Sequence, residues 1–345
     1  MVYEASPART GVGVLESAAV HVLVTGATGF LGSRLVDQLI ERGMRVRALV
    51  RTTSNTESLQ ERAVPTATAS LHRGEGLADA LADIDAVVHC AGGGLAPSKA
   101  ALYADNVTTT RTLMSAIVRH RPELKRLILV SSISAHGPSL NGLPRPVNAP
   151  RKPTSEYGRC KARAEEVVLE EADKIPVTIL RPPAIYGPGD RRMLPLFRAA
   201  KRGWVPLPSA SRSTSLIHVD DCARALCGMV HVQHPSGRCY HVEDGTPRPM
   251  DEFINMVGGA VGNTPRILRV PGWVLRIVGS VSGVIARMRS GAIMLTPDKV
   301  KDLIQPHWVC DAAELRKDFG WSPHVSLNDG LLETAHWYRQ EGWLP

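Results

Sequence analysis

The feature that most constrains the fold is a glycine-rich turn, TGATGFLG at residues 25–32, that joins an apolar run to an amphipathic stretch. The apolar run, residues 20–25, has the length and the β-branched content of a buried strand. Residues 30–42 carry apolar side chains at helical spacing, and residues 45–51 are predicted to form a second strand. Strand, tight turn, helix and strand in this order predict one βαβ unit.

The alternation of strands and helices continues along the next part of the chain. Strands are predicted at residues 85–90, 127–131 and 177–181, and helices at residues 99–120 and 155–173. This pattern predicts an α/β fold, a Rossmann-type doubly wound parallel sheet with helices on both faces. After about residue 187, Pro-, Gly- and Ser-rich stretches separate shorter elements, which is typical of a smaller C-terminal substrate-binding region.

Composition and charge exclude several classes of protein. The net charge is +8, but Lys and Arg are scattered among acids, so we predict no nucleic-acid partner. The six cysteines form no C-x-x-C pair, which predicts buried free thiols and no metal site. The sequence has neither a signal-peptide pattern nor an uncharged apolar run of membrane-spanning length, so we predict a soluble cytoplasmic protein without a membrane span.

The glycine turn has the pattern that binds a dinucleotide between a strand and a helix. Gly26 allows the tight turn, Gly29 lets the backbone approach a pyrophosphate, and Gly32 allows close packing of the helix. The start of the helix supplies free N–H groups and a partial positive charge for the diphosphate. The alternative is a glycine turn with a purely structural role.

This interpretation divides the chain into three parts. We predict a flexible leader at residues 1–18, a dinucleotide-binding Rossmann domain at residues 19–187, and at residues 188–345 a mainly substrate-binding region with some segments returning to the Rossmann domain. The leader is rich in small and polar residues and has no clear period.

The end of the second strand bears on which dinucleotide binds. An acid there would hydrogen-bond the ribose 2′-hydroxyl and repel a 2′-phosphate, but residues 46–52 contain none. Arg51 could instead pair with the phosphate and stack on adenine. We therefore favour NADP as the cofactor, with NAD as the alternative if Arg51 is an ordinary surface residue.

Three residues have the chemistry of a proton-transfer site. Tyr157 and Lys161 are four residues apart at the start of a predicted helix, so both lie on one face. A nearby ammonium and a positive nicotinamide ring favour phenolate, which lets Tyr157 exchange a proton with a substrate oxygen. Ser132 follows a buried strand and can hydrogen-bond that oxygen. The alternatives are a surface pair for Tyr157 and Lys161, and a capping role for Ser132.

Seven segments occur in the order of a known family. They are TGATGFLG (25–32), DAVVHCAG (85–92), NVTTT (106–110), LVSSISAHGP (129–138), YGRCK (157–161), LRPPAIYGPGD (180–190) and HVDDCARAL (218–226). Together with the C-terminal segment, they resemble the extended short-chain dehydrogenase/reductase family over roughly residues 20–340.

The resemblance assigns roles to individual residues. It implies that Ser132, Tyr157 and Lys161 are catalytic and that Asn106 helps hold a proton-relay water. The implied cofactor contacts are Gly26, Thr28, Gly29, Phe30, Leu31 and Gly32 at the diphosphate, Cys90 and Ala91 on the adenosine side, and Pro182 and Ile185 at the nicotinamide, with Tyr157 and Lys161 also in contact. It also implies a homodimer built on helices that include the Tyr157 helix.

Two positions depart from the family pattern. HRGEG at residues 72–76 stands where the family usually has an aspartate near the adenine, and His136 stands where a tyrosine near the substrate is frequent. The alternative for His136 is an ordinary loop histidine.

The substrate must be argued from other residues, because epimerases and dehydratases share these motifs. Nucleotide-sugar members resembling this chain carry an arginine just before the strand that leads into V-D-D, whereas here the nearest basic residue is Arg212, three positions before Ser215. Ile133 and Ser134 follow Ser132, so the acidic pair of the sugar dehydratases is absent.

With nucleotide-sugar members and dehydratases disfavoured, the chain resembles the 3β-hydroxysteroid dehydrogenase-like and dihydroflavonol reductase-like branches of the family. We therefore predict an NAD(P)-dependent oxidoreductase that reduces a ketone or oxidises a secondary alcohol on a hydrophobic small molecule. The alternative is a nucleotide-sugar epimerase. A third class, relatives that bind NADP without turnover, tends to lose the Tyr and the Lys, and both are present here.

An apolar stretch at residues 267–295 bears on the nature of the substrate. Pro271, Gly272 and internal arginines argue against a membrane span. The two remaining interpretations are a helix pair in the core of the smaller region and an apolar lid over the substrate.

Overall fold

The computed structural model describes residues 20–94, 96–209, 212–274, 277 and 297–345. The predicted leader at residues 1–18 lies outside the described residues, and so does most of the predicted lid, residues 275–276 and 278–296.

The elements alternate along the first part of the chain as expected. They are β1 His21–Thr25, α1 Phe30–Glu41, β2 Arg45–Val50, α2 Glu57–Glu61, β3 Thr66–Thr68, α3 Leu77–Leu81, β4 Ala86–His89, α4 Lys99–Tyr103, a π-helical turn Ala104–Thr108, α5 Thr109–His120, β5 Arg126–Val130, α6 Ile133–His136, α7 Glu156–Leu169 and β6 Val177–Arg181.

Shorter elements follow in the second part. They are β7 Ala184–Tyr186, α8 Leu194–Lys201, β8 Trp204–Pro208, β9 Ser213–Thr214, β10 Leu216–His218, α9 Val219–His231, β11 Arg238–His241, β12 Arg248–Pro249, α10 Met250–Ala260, β13 Arg266–Val270, α11 Pro297–Leu303, β14 His307–Trp308, α12 Ala313–Phe319 and α13 Leu327–Gln340.

A seven-stranded sheet forms the centre of the molecule, in the order β11-β6-β5-β4-β1-β2-β3. Every pair of neighbouring strands in it is parallel. Alternate residues of β1 enter two separate hydrophobic clusters: Val22 and Val24 pack with α1 and α9, while Leu23 packs with α3, α5 and α7. Helices therefore cover both faces, and the predicted Rossmann-type doubly wound fold is confirmed.

The order of strands reverses between β1 and β4. The chain runs outward through β2 and β3, then returns to β4 on the other side of β1. In open α/β sheets the crevice at such a point, beyond the carboxyl ends of the strands, is where ligands bind. The glycine turn follows β1, and Cys90 and Ala91 follow β4, so both lie at this crevice.

The smaller region has a hydrophobic core of its own. Aromatic side chains from four elements are fully buried there, namely Tyr186, Phe197, Phe253 and Tyr338. The segment from α9 through β11 packs with the larger part instead: α9 packs against α1, and β11 adds the last strand to the central sheet. The C-terminal half of the chain thus completes the larger sheet.

All six cysteines are free thiols, four of them buried and Cys90 and Cys239 partly buried. In the described part of the chain, no cluster of His, Cys, Asp and Glu could hold a metal ion. Among the same residues, no helix has both the length and the apolar character needed to cross a membrane.

Candidate active site

The glycine turn is held tightly against the end of β4. Gly26 has φ +71°, and its carbonyl accepts a hydrogen bond of 2.9 Å from the Gly29 N–H. A Cβ on Gly26 would lie 2.8 Å from the Ala91 nitrogen, and a Cβ on Gly32 would lie 2.1 Å from the Gly26 oxygen. Backbone fills the space where these side chains would be, so the turn accepts only glycine at both positions.

The start of α1 is free to bind an anion. Gly29 is the N-cap, no side chain caps the first turn, and that turn holds no acid. The first N–H groups of a helix have no acceptor within the helix, and they carry a partial positive charge. Phe30 and Leu31 lie in this first turn and are partly buried. These donors, beside a turn of minimal bulk, fit the diphosphate of a dinucleotide.

A cavity of about 310 Å³ lies beside this turn, lined by Thr28 and by residues after β2. Arg62 lines it too and is held in place by hydrogen bonds to Asp37, Ser33 and Ser58. Arg51 is exposed just after β2. Its backbone is fixed by two bonds of 3.0 Å to Ser54, from its N–H to Ser54 Oγ and from the Ser54 N–H to its carbonyl. The cavity has the position expected for the adenosine end of the cofactor.

Tyr157 and Lys161 lie on the first turns of α7, as the spacing predicts. Lys161 is buried, and its Nζ donates to the Val130 carbonyl at 2.9 Å. The segment after β4 passes directly in front of both: a Cβ on Gly94 would lie 3.5 Å from the Tyr157 ring, and a Cβ on Gly92 would lie 3.5 Å from Lys161 Nζ. The structure thus brings both side chains to the carboxyl ends of β4 and β5.

Asn106 reaches the same segment from the π-helical turn. Its Nδ2 donates to the carbonyls of Gly93 at 3.0 Å and Leu102 at 2.9 Å. A Cβ on Gly92 would lie 2.8 Å from Asn106 Oδ1, and this buried oxygen has no hydrogen-bond partner among the described residues. The sequence predicts a single helix at residues 99–120, whereas in the structure residues 104–108 form a π-helical turn between α4 and α5. Asn106 lies in this turn, and its amide oxygen faces residue 92 of the site.

A chain of hydrogen bonds connects the glycine turn to Asn106. Thr25 Oγ1 accepts from the Ala91 N–H and lies 2.7 Å from His89 Nδ1, while His89 Nε2 lies 3.1 Å from Thr110 Oγ1. Thr110 Oγ1 donates to the Asn106 carbonyl at 2.6 Å. One neutral tautomer, with the proton on Nε2, satisfies every member of the chain. Burial lowers the pKa of His89 to about 3, and the charge of Lys161 adds to this, so the ring stays neutral.

Ser132 is the N-cap of α6, where its Oγ accepts from the Ser134 N–H at 3.1 Å. The capping alternative is therefore observed, but it uses only a lone pair and leaves the hydroxyl proton free to donate. The short helix packs closely on α7, since a Cβ on Gly158 would lie 2.4 Å from the Ser134 oxygen. Ser132 and Tyr157 consequently lie at the same edge of the sheet.

Pro182 and Ile185 also lie near this edge. The Pro182 carbonyl accepts from the Ile133 N–H at 2.9 Å, which fixes it beside the start of α6, next to Ser132. Ile185 is partly buried in β7, opposite Ile217 in β10. Both residues follow the carboxyl end of β6, at the same edge of the sheet as the glycine turn.

The His136 ring contacts Ala149 and His241. It is 1% exposed, its Nε2 lies 3.3 Å from the Ala149 carbonyl, and its ring packs on His241 at 5.0 Å between centroids. Burial and then the charge of Arg181 lower its pKa to about 4. In this structure His136 is a core residue.

Sequence reasoning missed a buried carboxylate that supports the site. Glu165 lies one turn after Lys161 and accepts from Ser131 Oγ at 2.6 Å and from Arg181 at 2.9 and 2.8 Å. It thereby fixes the residue next to Ser132. The sequence signal that could have indicated Glu165 is its position on the face of α7 that also carries Lys161. Asp298 and Asp302, which contact the start of α7, were also missed.

The geometry defines a dinucleotide-dependent enzyme of the extended short-chain dehydrogenase/reductase type. Residues 22–242 match the model of the NAD dependent epimerase/dehydratase family, and the chain belongs to that family. It is an NAD(P)-dependent enzyme of this class.

Relatives match over nearly the full length. The chain is 31% identical to a 2-alkyl-3-oxoalkanoate reductase of Stenotrophomonas maltophilia, over 90% of this chain and 97% of the relative. It is 29% identical to a ceramide reductase of Caulobacter vibrioides, over 94% and 96% respectively. The crystal structure of gox2253 superposes with a TM-score of 0.80 at 26% identity, covering 95% of this chain and all of that one.

Proposed function

We propose that this enzyme reduces a ketone, or oxidises the corresponding secondary alcohol, on a hydrophobic small molecule with NADP(H). The observation that carries the proposal is the meeting of Tyr157, Lys161 and Asn106 at residues 92–94, beside the glycine turn. When bound, the nicotinamide supplies or accepts the hydride.

Each of the four site residues has a defined role in the reduction. The Tyr157 hydroxyl donates the proton that the substrate oxygen needs once its carbon has received a hydride. The Ser132 hydroxyl donates a hydrogen bond to the same oxygen while charge develops on it. Lys161 has three N–H donors, and one of them donates to the Val130 carbonyl. The other two can stabilise the phenolate of Tyr157. Asn106 Oδ1 offers an acceptor for the water that returns a proton.

NADP rather than NAD is proposed from the charges at the end of β2. Arg51 is exposed and makes no ion pair with any described residue, and residues 46–52 contain no acid. Arg62 at the adjoining cavity is already paired with Asp37, and Glu57 and Glu61 also line that cavity, so the proposal rests on Arg51. A free guanidinium suits a 2′-phosphate, because the charged hydrogen bonds are strong and often bidentate.

The proposed substrate class follows partly from Arg212. Its guanidinium donates to the carbonyls of Leu303, Ile304 at 3.0 Å and Gln305 at 2.8 Å. It is 8% exposed, so it is poorly placed to pair with the diphosphate of a nucleotide-sugar. The names of the relatives, a ceramide reductase and a 2-alkyl-3-oxoalkanoate reductase, favour apolar ketones for this chain too.

The test is a side-by-side assay of two ligand sets. Bulky ring ketones and long-chain 3-oxo esters are offered with NADPH, and UDP-glucose is offered with NAD, each also in thermal-shift titrations. We expect NADPH oxidation with apolar ketones and no epimerisation. Micromolar binding of UDP-glucose with no response to any ketone would promote the epimerase alternative.

We also propose a homodimer formed through a surface that includes α7, the helix of Tyr157. Tyr103, at the end of α4, is 46% exposed beside α7. Tyr103→Glu should yield monomers in light scattering, because a carboxylate would be buried in the interface. The matched control is Leu332→Glu on α13, also 46% exposed. Identical masses for both variants would place the interface elsewhere.

A further inference from the structure

The N–H groups of the first three residues of α7 each have an acceptor, although a helix cannot satisfy its own first turn. Ser155, the N-cap, accepts from the Gly158 N–H at 3.0 Å. The Glu156 N–H donates to Asp298 Oδ1 at 2.8 Å, and the Tyr157 N–H donates to Asp298 Oδ2 at 3.2 Å. One carboxylate from α11 therefore spans the two N–H groups that the N-cap leaves open.

A second carboxylate of α11 fixes the N-cap itself. Ser155 Oγ donates to Asp302 Oδ2 at 2.8 Å, and Thr154 Oγ1 donates to Asp302 Oδ1 at 2.6 Å. Because the Ser155 hydroxyl gives its proton to Asp302, its lone pairs face the Gly158 N–H. The two aspartates lie four residues apart, so they share the face of α11 that meets α7.

The other end of α11 is fixed as well. The buried Arg212 guanidinium donates to the carbonyls of residues 303–305, at and just beyond the end of the helix. A cation there satisfies acceptors that the last turn of a helix leaves open. The segment is thus held between a fixed arginine and the helix that carries Tyr157.

We propose that α11 is a brace that positions Tyr157, with Asp298 and Asp302 as positioning residues for proton transfer. The inference rests on the proposed function, because it takes Tyr157 as the proton donor. Tyr157 is the second residue of its helix, in the turn most prone to fraying. Asp298 binds the backbone of Tyr157 itself, so the brace acts on the residue whose hydroxyl must stay in line with the substrate.

The main test is Asp298→Ala, with Asp298→Asn as the conservative variant that keeps one acceptor oxygen. We expect Asp298→Ala to lower kcat on the order of tenfold to a hundredfold, as misplacement of a catalytic group does. The primary isotope effect with deuterated NADPH should rise, and NADPH affinity should change less than about twofold, because Asp298 makes no cofactor contact in this assignment. Asp298→Asn should recover part of the rate.

Amide hydrogen exchange tests the contact of Asp298 with the Glu156 and Tyr157 amides independently of enzyme activity. In the wild type the amides of Glu156 and Tyr157 should be protected, and Asp298→Ala should expose them. The matched control is Asp329→Ala, which removes an aspartate whose carboxylate accepts from Ser326, the N-cap of α13. It should leave kcat and the exchange of α7 unchanged.

The outcomes separate the brace from the proposed function. Unchanged protection of the two amides in Asp298→Ala would disprove the contact, and lost protection with wild-type kcat would disprove positioning. Should Asp298→Ala not fold, Asp298→Asn takes its place. Its single acceptor oxygen can serve only one of the two amides, so unchanged protection of both amides would disprove the contact, and lost protection of one with wild-type kcat would disprove positioning. If Tyr157→Phe keeps its activity while the Asp298 variants lose theirs, the proton donor has been misassigned and the proposed function fails instead.

Discussion

At the scale of single residues, the site depends on groups that each make two kinds of bond. Ser132 accepts from a helix N–H and keeps its own proton, and Lys161 holds a carbonyl with one of three donors. Tyr157 has only its hydroxyl to offer. Tyr157→Phe should therefore lower kcat by about 10²- to 10⁴-fold while NADPH affinity stays nearly the same.

The Tyr157 measurement needs turnover under conditions where chemistry is rate-limiting, together with a fluorescence titration of NADPH. Leu332→Ala, which shortens an exposed side chain on α13, is the control and should be silent. A Tyr157→Phe enzyme with more than roughly a tenth of the wild-type rate would exclude Tyr157 as the proton donor.

Arg51 gives a second prediction at this scale. Arg51→Ala should weaken NADPH binding by about 1.5–3 kcal/mol, the range for a hydrogen bond to a charged group. NADH binding should hardly change, because NADH has no 2′-phosphate. Arg42→Ala, which removes another exposed arginine at the end of α1, is the control in the same titrations. Equal losses for both cofactors would mean that Arg51 does not recognise the phosphate.

At the scale of elements, two glycines in helices should respond in opposite directions to the same substitution. Gly32→Ala places a Cβ 2.1 Å from the Gly26 oxygen, so α1 must move away from the turn. Gly228→Ala in α9 meets no atom within 4 Å. We expect Gly228→Ala to stabilise the protein by about 0.5–1 kcal/mol through helix propensity, and Gly32→Ala to destabilise it and weaken cofactor binding.

Urea denaturation and NADPH titration of both variants check this. A Gly32→Ala protein with wild-type stability and wild-type affinity would show that the turn is not as closely packed as described.

Elements with a strong local signal were predictable, and those without one were not. The strands β1, β5 and β6 are buried on both faces, so each is predominantly apolar. By contrast, β3 has the sequence TAT at an exposed edge, and β11 has the sequence RCYH. Neither has a hydrophobic pattern that could indicate a strand, because each lies at an edge of the sheet.

The same distinction holds within the site. Tyr157 and Lys161 were predictable because four positions along one helix fix their relation. Asp298 and Asp302 are 141 to 148 residues from their partners, and an isolated aspartate has no periodicity that indicates its contact. The π-helical turn that aims Asn106 was also not predictable, because its sequence continues the helical pattern.

At the scale of the whole molecule, buried neutral histidines make stability depend on pH. Burial lowers the pKa of His89 to about 3 and that of His136 to about 4, with charges of Lys161 and Arg181 as the next causes. In the unfolded chain both titrate near the ordinary value of about 6.5. Between about pH 6.5 and 4 the unfolded state therefore binds more protons, and stability falls as the pH falls.

Each of these histidines should contribute up to about 1.4 kcal/mol per pH unit within that window. The measurement is the free energy of unfolding in urea at several pH values from 7.5 to 4.5. His89→Gln, which can both donate and accept, should flatten the dependence by about one proton. A slope identical to that of the wild type would show that His89 is protonated in the folded state.

The brace also has a consequence for the order in which the protein is made. Tyr157 leaves the ribosome 141 residues before Asp298, so a growing chain has α7 long before it has the carboxylate that caps it. The edge of β6 likewise lacks its hydrogen-bonding partner until β11 is made, nearly sixty residues later. Synthesis of the C-terminal segment thus completes both the sheet and the start of the catalytic helix. A fragment that ends before α11 would retain Tyr157, Lys161 and the glycine turn, yet lack the contacts that hold Tyr157 in place.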